Sequence, residues 1–525
     1  MTRREEFLTK AAKIANVVLL GGATLSTLVF LYFLYRYGWT GERRLAGWMV
    51  TYFVAPGLLA ACFFASLKLK PVHKINLAVV CISLVACLYA AESLLHASRS
   101  VFLNRYRPVM NIDGASEEQR GELQEFVKRR FGVDADVRKR IDVIADLRAQ
   151  GIDAVPSVIP RHLLSKQKDE SMQSEIRIGG TEIIPFGGIA GKATLLCNES
   201  GAYVTYQSDE HGFHNPTGIW RSERIDIAAL GDSYVQGYCV PSDRSFVGLI
   251  RRQHPATLNV GMAGQGPLLM LAALKEYLPA YKPKVVLWFY FEGNDLANLD
   301  EEKRSRVLMR YLEPGFTQGL RGRQKDIDRA LVEFAESQKA RMLAQARKRQ
   351  GWAVVVAKFV SLIKLSTLRG RLGLYVDEKE NHDAFPARGT FHMTDTFKPD
   401  MNLFRETLTQ ARKKASEWGG ELDFVYLPDW ARYSKAANSV NLQQRAAVLA
   451  MVRDLGIPVI DIHPVFEFQD DPLSLFPFHS VGHYTEEGHG LVAGEVLKKI
   501  SVQNSTGPRA RQPTSAGALN DRFHR

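Results

Sequence analysis

The chain has 525 residues, 46% hydrophobic and 24% charged, so a large core is available and wholesale disorder is excluded. Its five cysteines are scattered, which excludes a disulfide-stapled scaffold and a cysteine-rich zinc module. The formal net charge of +12 raises the question of a nucleic-acid partner, and the placement of the charge decides it.

Three apolar runs come first, at 15–35, 46–67 and 75–95, and Glu92 is their only charged residue. Each has about 20 residues, the length that crosses the bilayer core as a helix. Short basic linkers separate them, and no small-residue cleavage site follows the first, so the runs predict three membrane spans over residues 1–100 rather than a signal peptide. With the N-terminus inside, seven flanking Lys and Arg fall on the cytoplasmic side and six on the other, a slight bias toward an external C-terminal region. Cys62, Cys81 and Cys87 lie in the runs, which leaves Cys197 and Cys239 as the pair available for an extracytoplasmic disulfide.

Residues 101–204 are predicted to be a linker and small subdomain. Lys128 to Arg148 has helical spacing that Gly151 and Pro156 stop, and 181–222 has the composition of short strands and loops. From 225 onward apolar strands alternate with helical segments: 225–230, 257–262, 284–291, 422–428 and 457–462. This alternation predicts a three-layer α/β/α doubly wound parallel sheet over 205–503. A basic helical insertion at about 296–380 interrupts it; residues 301–350 hold 13 Lys and Arg against 7 Asp and Glu. Ile327, Leu331 and Phe334 share one face of a helix there. The insertion reads as a solvated helical hairpin capping the domain, or as a lid or a surface for anionic lipid. It lies beside long apolar stretches and matches no recognition module, so no nucleic-acid partner is expected. The tail, 504–525, has a disordered composition.

The chemistry starts at 228–240, AALGDSYVQGYCV. A strand ends at Leu230 and a helix begins near Ser233, which puts the serine hydroxyl at the C-terminal edge of a parallel sheet and near helix N–H groups that can hold an oxyanion. Serine needs a base, and the candidate lies in 475–500, where His483 precedes a helix predicted to begin around Thr485. His489 falls inside that helix, where packing is the expected role. The spacing of His479, His483 and His489 matches neither HExxH nor a zinc finger.

These segments resemble the blocks of the SGNH/GDSL hydrolase superfamily, in order: GDSYVQG, NVGMAGQG, FEGND and VGHYTEEGH, preceded by SDEHGF at 208–213. The resemblance covers about 205–500. It implies Ser233 as nucleophile, His483 as base, and Gly264 and Asn294 as oxyanion donors, with Asp232 in a turn or structural role. It implies a serine ester hydrolase or O-acyltransferase, with no cofactor and no metal. The family's Asp, three or two residues before the histidine, is absent; Ser480 and Val481 stand there. A Ser–His dyad, Asp461 or another distant acid are the alternatives. Together with the spans, the resemblance implies a multi-pass protein of the bacterial inner membrane whose catalytic domain faces the periplasm or exterior. The lipid bilayer, an acylated envelope glycan or lipid substrate, and envelope polysaccharide biosynthesis proteins are the expected partners. A non-catalytic glycan-binding or assembly protein is the competing reading.

Overall fold

The computed structural model describes residues 3–38, 54–106, 112–349 apart from 114 and 116, 359–368 apart from 361 and 367, 398–434, 444–480 and 482–506. Two compact units emerge: Met1–Phe102 with Lys348–Glu378, and Leu103–Arg347 with Lys379–Arg525.

In the first unit, helices α1 (Arg3–Gly38) and α3 (Pro71–Tyr106) each contain a stretch long and apolar enough to cross a membrane, Glu5–Tyr35 and Pro71–Leu95. Their apolar side chains, such as Leu25, Leu28, Val79 and Leu84, are exposed, an arrangement compatible with lipid anchoring and costly in water. The expected second span is described only as α2 (Ala55–Ser66), 12 residues long; residues 46–53 lie outside the described residues. Helix α2 packs on α1 where Gly22 leaves room, since a Cβ there would lie 2.9 Å from the Phe63 ring. Glu92, the acid inside the third run, is buried and accepts a hydrogen bond from the Leu368 backbone N–H at 2.6 Å. The Tyr89 hydroxyl donates to the Ile363 carbonyl at 3.1 Å. The described residues around Ile363 and Leu368 of the insertion therefore fold with this unit.

The second unit begins with α4 (Glu117–Phe131) and α5 (Arg140–Ala149). The single helical pattern of 128–148 is thus split. Gly132 turns the chain at φ +71, a conformation that ends a helix, and residues 133–139 are not helical. Strands β1 (Ala154–Pro156), β2 (Ala193–Leu195) and β3 (Thr205–Gln207) form a small sheet, β1 parallel and β3 antiparallel to β2.

The main sheet follows with all five predicted strands: β4 (Ile227–Leu230), β5 (Thr257–Asn259), β6 (Val285–Phe291), β7 (Glu421–Leu427) and β8 (Val459–Asp461). They are parallel in the order β8-β7-β6-β4-β5. The order reverses between β4 and β6, and the crevice at such a switch point is where doubly wound sheets bind ligands. Alternate side chains fill two cores. Leu230, Trp288, Tyr290, Phe424 and Tyr426 face one, with helix α8 (Pro267–Tyr277), buried along its whole length. Ile227, Leu287, Phe289, Phe291 and Val425 face the other, with α7 (Phe246–Gln253) and α13 (Glu486–Thr506). The period of two along β6 is the reason a continuous apolar run can serve both layers.

The first half of the insertion belongs to this core. Ile327, Leu331 and Phe334 of α10 (Gln324–Arg349) are buried in the cluster that holds Trp288. The expected hairpin or lid is therefore anchored at this end by apolar burial. Helix α13 starts one residue after Thr485 and runs to Thr506; the rest of the tail lies outside the described residues.

Candidate active site

Ser233 opens the short helix α6 (Ser233–Gln236), two residues after the Gly231 that follows β4. The turn requires glycine there, because a Cβ on Gly231 would meet Val235 at 2.3 Å. Asp232 caps the helix, its carboxylate accepting from the Tyr234 N–H at 3.0 Å, which is the structural role expected of it. Burial raises the Asp232 carboxyl above its usual range.

His483 is brought to this serine from 250 residues away, and 2.7 Å separates its Nε2 from Ser233 Oγ. Its neighbour fixes the loop: the buried Tyr484 hydroxyl donates to the Pro428 carbonyl at 2.6 Å. The Tyr234 ring packs on both His483 and Tyr484, with centroids 4.8 and 4.5 Å away.

The other face of the imidazole meets Glu199. Both Glu199 carboxylate oxygens lie 3.0 Å from His483 Nδ1, and Oε2 also accepts from the His483 backbone N–H at 2.8 Å. A carboxylate can only accept, so Nδ1 carries the hydrogen and Nε2 is free to take one from serine. Burial alone would disfavour charge on both partners. Their mutual attraction outweighs it, raising His483 above the ordinary histidine value and lowering Glu199 below the ordinary glutamate value. Asp461, the acid named as an alternative from sequence, is occupied elsewhere, with the Arg445 guanidinium and the His463 backbone N–H. The dyad alternative is likewise not what the geometry shows. Sequence reasoning missed Glu199 because it stands in the small subdomain, outside every block of the resemblance.

Asn294 follows β6 and caps α9 (Asp295–Glu302). Its amide nitrogen lies 3.4 Å from Oδ2 of Asp232, the residue before Ser233. A relay fixes which way this amide faces. Arg161 Nη1 donates to Asn298 Oδ1 at 2.6 Å, and Asn298 Nδ2 donates to Asn294 Oδ1 at 3.3 Å. The Asn294 NH2 group is thereby turned toward Asp232. Arg161 is held in turn by Glu301 at 2.5 Å. Gly264 follows β5 at φ +76, a conformation that favours glycine, and a Cβ there would sit 3.2 Å from the Arg161 side chain. The Gly264 loop is clamped by Glu302, which accepts from the Gly266 and Leu268 N–H groups at the start of α8. Burial pushes Glu302 up to about 8.

His489 is fully buried, and its Nδ1 accepts from the Phe246 N–H at 3.1 Å. Burial, helped by the nearby His483 charge, holds it down at about 3, so it is a neutral packing residue. In the SDEHGF segment, Asp209 accepts from the backbone of His211 and Phe213 and from the side chains of Asn215 and Trp220, a structural hub.

Two consequences are measurable. Asn294→Ala should lower kcat about 10²–10³-fold with little change in Tm, the usual cost of one oxyanion donor. Asn298→Ala should reproduce a smaller part of that loss with KM unchanged; unaltered kcat would mean the relay does not set the amide.

The His483–Glu199 pair should also titrate. The raised His483 contributes stability fully present below about pH 6.5 and lost as pH rises through its folded value; the depressed Glu199 contributes stability present above about pH 4.3 and lost as pH falls through its own. The Tm deficit of Glu199→Gln should therefore be largest between those values. The acid limb of the pH–kcat/KM profile should move down in this variant, because neutral imidazole is the active form.

No protein-family model matches the chain, and no curated protein matches it. Among solved structures, it is similar to the lipase/acylhydrolase from Enterococcus faecalis (13% identity, TM-score 0.30, covering 53% of this chain and 96% of that one). It is also similar to a member of the lipolytic protein G-D-S-L family from Veillonella parvula DSM 2008 (14%, 0.27, 53% and 98%). A third is the acetyl xylan esterase AlAXEase (9%, 0.28, 53% and 100%).

Proposed function

We propose that the protein is a serine-dependent ester hydrolase of the SGNH/GDSL type, acting on an acyl ester of a cell-envelope glycan or lipid. The observation that carries the reading is the continuous line Ser233 Oγ–His483 Nε2 and His483 Nδ1–Glu199 at the switch point of the sheet. In this reading His483 Nε2 takes the Ser233 proton as the oxygen attacks the ester carbonyl carbon. The N–H groups of Ser233 and Gly264 and the Asn294 amide hold the oxyanion. Glu199 holds the imidazolium that forms, without taking its proton. The C–O bond of the leaving alcohol breaks and His483 returns the proton to it. Water, deprotonated by His483, then attacks the acyl-enzyme carbonyl carbon; the bond to Ser233 Oγ breaks, His483 returns the proton to Oγ, and the acid leaves. A sugar hydroxyl in place of water gives an O-acyltransferase with the same residues.

The envelope substrate is supported by the anchor and by the Cys197–Cys239 disulfide, since such bonds persist in oxidising compartments. The disulfide favours a catalytic domain outside the cytoplasm, and the apolar helices suit a multi-pass inner-membrane protein.

A fluorophosphonate probe should label the wild type and not Ser233→Ala, and turnover of p-nitrophenyl acetate should vanish with the labelling; equal labelling of both would remove the serine assignment. Alkaline phosphatase fused after residue 110 should be active, and a cytoplasm-dependent reporter fused at the same point silent. The reverse pattern would move the substrate to the cytoplasmic leaflet.

A further inference from the structure

We infer that the Cys197–Cys239 disulfide is a positioning element of the active site, holding the orienting acid Glu199 against His483. The inference rests on the acyl-transfer reading above. Cys197 stands two residues before Glu199, and Cys239 stands six residues after Ser233. One covalent bond thus joins the loop of the acid to the turn of the nucleophile.

The loop itself explains why such a tie matters. Glu199 sits in the connection between β2 and β3, which is closed by Leu196 N–H to Val204 carbonyl and Val204 N–H to Cys197 carbonyl, both at 2.9 Å. A further backbone bond runs from the Asp136 N–H to the Gly201 carbonyl at 2.8 Å. These bonds secure the loop to its own subdomain. They do not fix its distance from α6 or from the His483 loop. On the other side of the disulfide, the chain leaves α6 through Gly237 and reaches Cys239 at φ +63, a region that residues other than glycine seldom occupy.

The bond is also in the right place. Cys239 Sγ, the Glu199 carboxylate and a His483 ring nitrogen all lie within 4.8 Å of one another. The adjacent Tyr238 ring packs against the imidazole with centroids 4.7 Å apart. Cys197, Cys239, Leu196 and Tyr206 form a separate buried cluster there. Cys239 is one member of the only group of potential metal-ligating side chains of this kind among the described residues, and the disulfide takes its sulfur out of that role. Glu199 acts through His483 and touches no reacting atom, so the cysteines position a positioning residue. Loosening by an ångström is enough to matter at this range.

The test crosses two changes in the full-length protein in detergent: Cys197→Ser with Cys239→Ser, and Glu199→Gln. The readouts are the rate of fluorophosphonate labelling at Ser233, its pH dependence and Tm. With Glu199 present, losing the disulfide should slow labelling about ten-fold or more and shift the acid limb of the pH profile down. In the Glu199→Gln background the same loss should change the rate less than about two-fold, because the acid it positions is already gone. If the serine pair does not fold, reduction of the folded wild type and of folded Glu199→Gln, with release of both sulfurs checked by alkylation, makes the same comparison. Equal slowing in both backgrounds, or none in either, overturns the clamp. Wild-type labelling by Glu199→Gln overturns it too, while leaving Ser233 and His483 in their roles. Labelling that survives Ser233→Ala overturns the acyl-transfer reading and the clamp together.

Discussion

The hydrogen-bonded pair of His483 and Glu199 is the contact on which the site depends. An imidazole has two nitrogens and, when neutral, one hydrogen. A serine can be deprotonated only if that hydrogen is kept on the nitrogen facing away from it. Glu199 does this with both oxygens and also bonds the His483 backbone N–H, so it fixes the ring, its tautomer and its loop together.

The rest of the architecture follows from where the pair must stand. The reversal of strand order between β4 and β6 opens a crevice at the strand ends, and the chain leaves those two ends with Ser233 and Asn294. Both are presented on helix N-termini, whose free N–H groups favour negative charge. The small subdomain then supplies what the sheet lacks. Glu199 reaches the base from one of its loops, and Arg161 reaches the amide relay from another. Residues 154–207 thus do more than serve as a linker.

Most of the sheet was legible in the sequence. Five apolar segments between helical ones gave five parallel strands, because a strand buried on both faces must be apolar along its length, as 285–291 is. Ser233, Gly264 and Asn294 were legible as residues that follow strands in ordered blocks, and His483 as a loop residue just before a helix. Setting aside the cysteines in apolar runs left Cys197 and Cys239 as the available pair, and the bond between them is read from the structure. Glu199 was not legible. It lies 284 residues from His483, in a loop with no periodicity, and its pairing is a tertiary fact with no local signature. The break at Gly132 was hidden for a different reason: residues 133–139 keep enough apolar spacing to read as helix, and one glycine at positive φ decides otherwise. Glu92 illustrates the converse. It read as an interruption of a span, and its partner is a backbone N–H more than 270 residues on.

A distant acid puts a demand on the fold that a local one does not. An Asp two or three residues before the base is carried by the same loop, and any shift moves both together. Here Glu199 and His483 are carried by different parts of the fold, so their separation is set by tertiary packing and tolerates little error. Hydrogen bonds within the subdomain hold the Glu199 loop in shape, while its docking rests on the Glu199–His483 bonds themselves, on the 3.3 Å bond from Gln236 Nε2 of α6 to the Tyr206 hydroxyl, and on apolar contacts such as Leu196. A covalent tie between Cys197 and Cys239 reinforces that docking, and it removes about 3–5 kcal/mol of chain entropy from the unfolded state for a loop of this length. The bond is durable in an oxidising compartment and labile in a reducing one, so the geometry of the site and the redox state of its surroundings are linked through the same two sulfurs.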